Sequence, residues 1–123
     1  MITPTEAQKL ARENLVGFPP GLIDDYLAFA ASGDEAKLDL VVLGILQFYL
    51  PKKSAEPLAM RPGTTRLVED LGCDSLTMMD TVFMTETLLA VKIDDAELMR
   101  IATLDELRGH LRRLVKDGAP AAT

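Results

Sequence analysis

An aspartate followed directly by a serine, Asp74-Ser75, stands where a glycine turn gives way to a methionine-rich run of helix formers, in the stretch LGCDSLTMM. Two chemistries fit the pair. Asp is among the best helix N-cap residues, because its carboxylate accepts backbone N–H groups that a first turn leaves unpaired; Ser75 is then a neutral first-turn residue. Alternatively the serine oxygen is itself a point of reaction. A serine hydrolase needs a base and an oxyanion hole beside its nucleophile. The only histidine, His110, lies on a different helix between Arg108 and Arg112, and no G-x-S-x-G elbow exists. His110 therefore reads as a surface or core-edge residue. The single cysteine, Cys73, excludes an internal disulfide and reads as a small turn residue, with a reactive thiol as the alternative. One Cys and one His cannot make a structural zinc site, and Asp94, Asp95 and Glu97 lack the twelve-residue spacing of a calcium loop, so no metal is expected.

The elements that must position this serine are helical. The chain of 123 residues suits one domain with a real core, and its long-chain helix formers are separated by Gly and Pro breaks, which favours an all-α fold. Thr3-Pro4-Thr5-Glu6 has the form of a capping box with proline at the first helical position, predicting a helix from Pro4 to Leu15. A second helix is predicted from Leu22 to Ala31, stopping at Ser32-Gly33, and a third from Asp34 or Glu35 to Leu50, closed by Pro51. The third helix is apolar nearly all round, so more than one neighbour must cover it: the two preceding helices, or a second copy of the chain. Residues 51–65 read as a polar loop without regular period. A helix follows from Asp74 or Ser75 to Ala90, then a short turn over Asp95 to Arg100. The last helix is capped by Thr103 with Glu106, and turns Leu104, Leu107, Leu111, Leu114 and Val115 inward.

The helix behind Ser75 carries two stripes. At 100° per residue Met78, Val82, Thr85 and Leu89 share one side, the stripe expected in the core, while Leu76, Met79 and Phe83 line up on another, flanked by Asp80 and Glu86. One helix needs one buried face, so the second stripe is either covered by the N-terminal helices or open for docking. The net charge of −6 supports docking: residues 73–106 alone carry −6, whereas residues 107–123 carry +3. Such a field repels nucleic acid and steers basic protein surfaces inward. The most apolar segment, Leu38 to Leu50, contains Asp39 and is too short to span a bilayer, and no secretory leader is apparent; a reducing, cytoplasmic setting is expected.

These residues together carry a family likeness. Thr65 to Leu111 resembles an acyl carrier protein, a small four-helix family whose attachment serine sits in a D-S-L motif at the start of its second helix. Leu67-Val68-Glu69-Asp70-Leu71-Gly72-Cys73-Asp74-Ser75-Leu76 matches the family pattern hydrophobic-V-E-D-L-G-x-D-S-L, and Val91-Lys92-Ile93-Asp94-Asp95 and Ile101-Ala102-Thr103-Leu104 follow in register. The resemblance implies a four-helix carrier bundle over residues 35–118; residues 1–34, outside the likeness, read as a helical extension packed on it, and residues 119–123 as a loose tail. It implies that a phosphopantetheinyl transferase joins 4′-phosphopantetheine to Ser75, with Asp74 assisting the transferase, and that the arm then holds acyl groups as thioesters. The chemistry would belong to partners, acyl-transfer and condensing enzymes with basic surfaces that read Leu76, Met79, Asp80, Phe83 and Glu86. The chain itself would be no enzyme, a monomer or weak homodimer, serving fatty-acid-like or polyketide-like synthesis. Asp94 stands where the family usually has proline, and residues 1–34 fall outside the likeness; both point to a dedicated pathway. A carrier-like helical interaction protein that is never modified is the alternative.

Overall fold

The computed structural model describes residues 2–52 and 56–117. Six α-helices follow in order: α1 Pro4–Asn14, α2 Pro20–Ser32, α3 Glu35–Tyr49, α4 Ser75–Leu89, α5 Asp95–Leu98 and α6 Leu104–Asp117. Among the described residues there is no strand, only an isolated antiparallel bridge between Arg66 and Thr103. The all-α expectation is met; the tail proposed for 119–123 lies outside the described residues.

Short-range chemistry sets the helix starts. Thr3 and Glu6 form a reciprocal capping box on α1, Asp34 caps α3 through the Ala36 N–H, and at α6 the Glu106 N–H donates to Thr103 Oγ1 while the Glu106 carboxylate accepts from the Ala102 N–H. Proline opens α2 two residues earlier than predicted, at Pro20, where its missing N–H costs nothing. Gly33 closes α2 in the left-handed conformation, at φ 74°.

α3 is the hub. Its apolar circumference is covered by α2, α4, α6 and the 3₁₀ turn Leu58–Met60, so the chain itself supplies the neighbours that the sequence demanded. α2 packs tightly on α3 at Gly44, where an added Cβ would stand 2.6 Å from Leu22 Cδ1. Asp39 is accommodated within α3 by Arg112 of α6, whose Nε donates to Asp39 Oδ1 at 3.0 Å. The stretch read as a loop without period contains the turn that buries Leu58, held by its N–H donating to Gln47 Oε1 at 3.1 Å.

α1 and α2 join this bundle as packed elements. α1 contacts both α2 and α4, and the fully buried Tyr26 of α2 donates its hydroxyl to the Leu88 carbonyl of α4 at 2.5 Å. Burial also raises the Tyr26 pKa above the ordinary phenol range, with Glu6 adding to it.

Two expectations need correction. The buried face of α4 is formed by Thr77, Thr81, Thr85 and Leu88, joined by Leu89, while Met78 and Val82 are only half-buried. The threonines tolerate burial because Thr81 Oγ1 donates to the Thr77 carbonyl at 2.8 Å and Thr85 Oγ1 to that of Thr81 at 2.7 Å, leaving their methyls to pack. His110, read as a surface or core-edge residue, is 5 % exposed, because its position three residues beyond Leu107 and four before Leu114 turns it onto the inner side of α6.

Candidate functional site

Ser75 is the first residue of α4, and the chain before it is built to push it outward. Leu67, Leu71 and Cys73 are buried, anchoring the approach, while residues 74–76 are exposed. The anchor is tied to the start of α6 by two hydrogen bonds, Leu67 N–H to the Ala102 carbonyl at 2.9 Å and Leu104 N–H to that of Thr65 at 3.1 Å. Asp70 closes the approach by accepting from the Arg66 N–H at 2.8 Å. The turn is completed at Gly72, whose φ of +69° is the left-handed region that L side chains resist, and Cys73 N–H then donates to the Leu67 carbonyl at 2.9 Å.

Asp74 caps the helix, Oδ1 accepting from the Thr77 N–H at 2.8 Å. That bond, supported by the Thr77 hydroxyl, holds its carboxyl below the usual range, so the cap is complete at neutral pH and is lost as pH falls through its folded pKa. The carboxylate is thereby turned to the backbone and Ser75 Oγ is left outside the cap; among the described residues it has no hydrogen-bond partner. A negative group joined to this oxygen would sit at the positive end of a 15-residue helix dipole. The exposed serine oxygen, the helix start beneath it and the absence of a neighbouring base fit an attachment point better than a nucleophile that works alone.

Cys73 lies two residues before Ser75 but is buried. Burial, with the Asp74 charge adding to it, pushes its thiol up to about 11, which disfavours the thiolate that a reactive cysteine needs. His110 also stands apart: its Nε2 is 3.6 Å from Glu97 Oε2 of α5 and has no hydrogen-bond partner.

The second stripe of α4 is open. Leu76 is 65 % exposed, Met79 66 % and Phe83 70 %, too much apolar surface on one helix face to serve packing. Asp80 is half-buried beside Tyr49, whose hydroxyl pKa it helps raise after burial itself. Glu86 is spent internally: its carboxylate accepts from the Ile93 N–H at 2.8 Å and pairs with Lys92 at 3.7 Å, clamping the segment that leaves α4. Val68 and Met99, which sequence reading passed over, are 64 % and 87 % exposed.

Residues 56–111 match the family model for the phosphopantetheine attachment site. The chain is similar to an acyl carrier protein of Thermotoga maritima, 38 % identical over 48 residues, which cover 39 % of this chain and 59 % of that protein. It is similar to an acyl carrier protein of Rhodococcus erythropolis, 33 % identical over 54 residues, 44 % of this chain and 59 % of the relative. A longer alignment joins it to the meromycolate extension acyl carrier protein of Mycobacterium tuberculosis, 28 % identical over 82 residues, 67 % of this chain and 70 % of the relative. The chain thus spans about three-fifths of the length of the Thermotoga and Rhodococcus carriers. No solved structure gives a significant match.

Proposed function

We propose that this chain, an acyl-carrier-type protein whose residues 56–111 are a phosphopantetheine attachment domain, carries acyl groups as thioesters on an arm joined to Ser75. The observation that carries the assignment is the Ser75 oxygen, exposed and unpartnered among the described residues at the tip of α4. When bound, 4′-phosphopantetheine supplies a flexible arm ending in a thiol.

The work of this chain's own residues is presentation. Leu67, Leu71 and Cys73 fix the approach, Gly72 makes the turn, and Asp74 fastens the first turn of α4 so that one oxygen projects towards an incoming transferase. The helix dipole favours the phosphodiester charge, and Asp74, its carboxylate next to Ser75, assists the transferase. Leu76, Met79 and Phe83 form the centre of the surface that partner enzymes read, with Asp80 at its margin; Glu86 supports this surface from beneath its C-terminal end. Acid around the patch steers partners with basic surfaces.

Residues 35–118 form the carrier and residues 1–34 an extension fastened to it. The resemblance to a meromycolate extension carrier favours fatty-acid-like cargo over polyketide-like cargo, in a dedicated pathway. No described helix is long and apolar enough to cross a membrane.

Coexpression with a broad-specificity phosphopantetheinyl transferase, followed by intact-mass measurement, tests the assignment. One phosphopantetheine should be added, and none to Ser75→Ala. A chain that keeps its unmodified mass under several transferases would instead be a helical interaction protein.

A further inference from the structure

One buried polar atom on α6 is left over by the fold. His110 is 5 % exposed and its Nε2, closed off from solvent, has no hydrogen-bond partner; Glu97 Oε2 at 3.6 Å stands just beyond bonding reach. Buried polar atoms are nearly always paired, so an orphan in the wall of a cavity calls for a group that completes it. Such a cavity lies between α5 and α6. It measures about 370 Å³, at the small end of the ~300–1,000 Å³ typical of ligand pockets, and both His110 and Glu97 belong to its lining.

The other polar side chains of the lining divide into engaged and free. Asp105 is paired with Arg108, and Glu106 Oε1 holds the start of α6 through the Ala102 N–H and the Thr103 hydroxyl. Arg100 and Arg113 have neither a side-chain hydrogen bond nor an ion pair among the described residues. Two guanidinium groups and an imidazole nitrogen thus face one uncommitted carboxylate, that of Glu97, on a chain whose net charge is −6. Arg113 and His110 are three residues apart and share a face of α6, and Arg113 Nη1 lies back along the helix, 3.7 Å from where a side chain on Gly109 would begin. Guanidinium forks match the oxygens of phosphate and carboxylate. A tetrahedral phosphate offers acceptors in several directions, which suits donors that arrive from two elements. A cation is poorly served, since among the described residues no three His, Cys, Asp or Glu side chains are placed to hold a metal.

We propose that the cleft between α5 and α6 binds a phosphate group, as inorganic phosphate or as a small phosphomonoester, through Arg100, Arg113 and His110. Glu97 is the internal competitor: its carboxylate stands beside Nε2, and its side chain, 57 % exposed, has room to turn out into solvent as the anion takes its place. The imidazole then donates from Nε2, the tautomer that contact with an anion selects. Bound there, the phosphate joins Arg100, two residues beyond α5, to α6 and fastens an element only four residues long. The site uses none of the residues around Ser75, so it is independent of the carrier reading and of whether the arm is attached.

The test follows backbone and imidazole ¹H–¹⁵N resonances of the full chain as sodium phosphate or glycerol 3-phosphate is added at fixed pH and ionic strength, with sodium chloride and glycerol as controls. Saturable shifts are expected at Glu97, Arg100, His110 and Arg113, the largest at His110 Nε2. Tighter binding of glycerol 3-phosphate would identify a phosphomonoester as the ligand, and tighter binding of sodium phosphate the free ion. Arg100→Ala and Arg113→Ala, both at exposed positions, should each raise Kd about tenfold or more, the loss of a charge-assisted hydrogen bond. Glu97→Gln should lower Kd by removing the competing charge, which a merely structural contact with His110 would not do. Shifts that never saturate, that chloride reproduces or that centre on Ser75 would overturn the inference, as would an affinity indifferent to both arginine variants or weakened by Glu97→Gln.

Discussion

Replacing Tyr26 with phenylalanine removes one oxygen and tests whether α2 and α4 belong to one cooperative unit. The hydroxyl belongs to α2 and its acceptor, the Leu88 carbonyl, to the last turn of α4, where a carbonyl has no partner along its own helix. Both residues are fully buried, so water cannot replace the lost donor. An orphaned buried acceptor costs about 1–3 kcal/mol. At the middle of that range, a chain of this size should lose roughly 6–12 °C in Tm. Urea unfolding followed by circular dichroism should show a lower midpoint at unchanged slope, since the surface exposed on unfolding is the same. The pH dependence supplies an internal check. Burial raises the folded pKa of Tyr26, so the unfolded chain ionises first, above about pH 10. Stability from the neutral phenol is complete below that point and declines as pH rises towards the folded pKa; the Tyr26→Phe chain should lack this decline. A variant within about 0.5 kcal/mol of the parent, with the same alkaline profile, would refute the coupling of α2 to α4.

Three further outcomes follow from the site. Gly72→Ala should cost about 1–2 kcal/mol in urea unfolding, since space around the added methyl is open and the whole penalty comes from φ +69°; an unchanged midpoint would contradict that turn. Met79→Ala and Phe83→Ala should stay within about ±0.5 kcal/mol of the parent in stability yet lower transferase kcat/KM, by about 30-fold if either anchors the complex at ~2 kcal/mol; the reverse pattern would make them core residues. Cys73 should resist iodoacetamide at pH 8 until denaturant is added. Because its folded pKa is raised to about 11, stability drawn from the neutral thiol should be complete below the ordinary thiol pKa and decline as pH rises beyond it; rapid native-state alkylation would show the thiol to be open.

What the sequence disclosed is what local chemistry decides. Capping at Thr3, Asp34, Asp74 and Thr103 is settled by residues two or three positions away, so the helix starts could be read directly. The phase of α4 could not. Its apolar and polar-looking residues are spread round the whole helix, and the threonines that form its inner face conceal their hydroxyls in bonds to carbonyls one turn back. The burial of Leu58 was invisible for a different reason: it rests on a side-chain bond from Gln47, eleven residues away, within a stretch with no period. His110 was hidden by its charged neighbours, although its spacing from Leu107 and Leu114 carried the signal. The open stripe of Leu76, Met79 and Phe83 was visible as a stripe; its exposure depended on where α1 packs, which is a property of the whole fold.

The most direct measurement is the mass of the Ser75-containing peptide from protein purified out of its native cells, before and after hydroxylamine. An acyl-phosphopantetheine on Ser75 that loses its acyl group under hydroxylamine is the expected result, the mass lost giving the cargo. A Ser75 peptide found only in its unmodified form, or the arm found on another residue, would contradict the account.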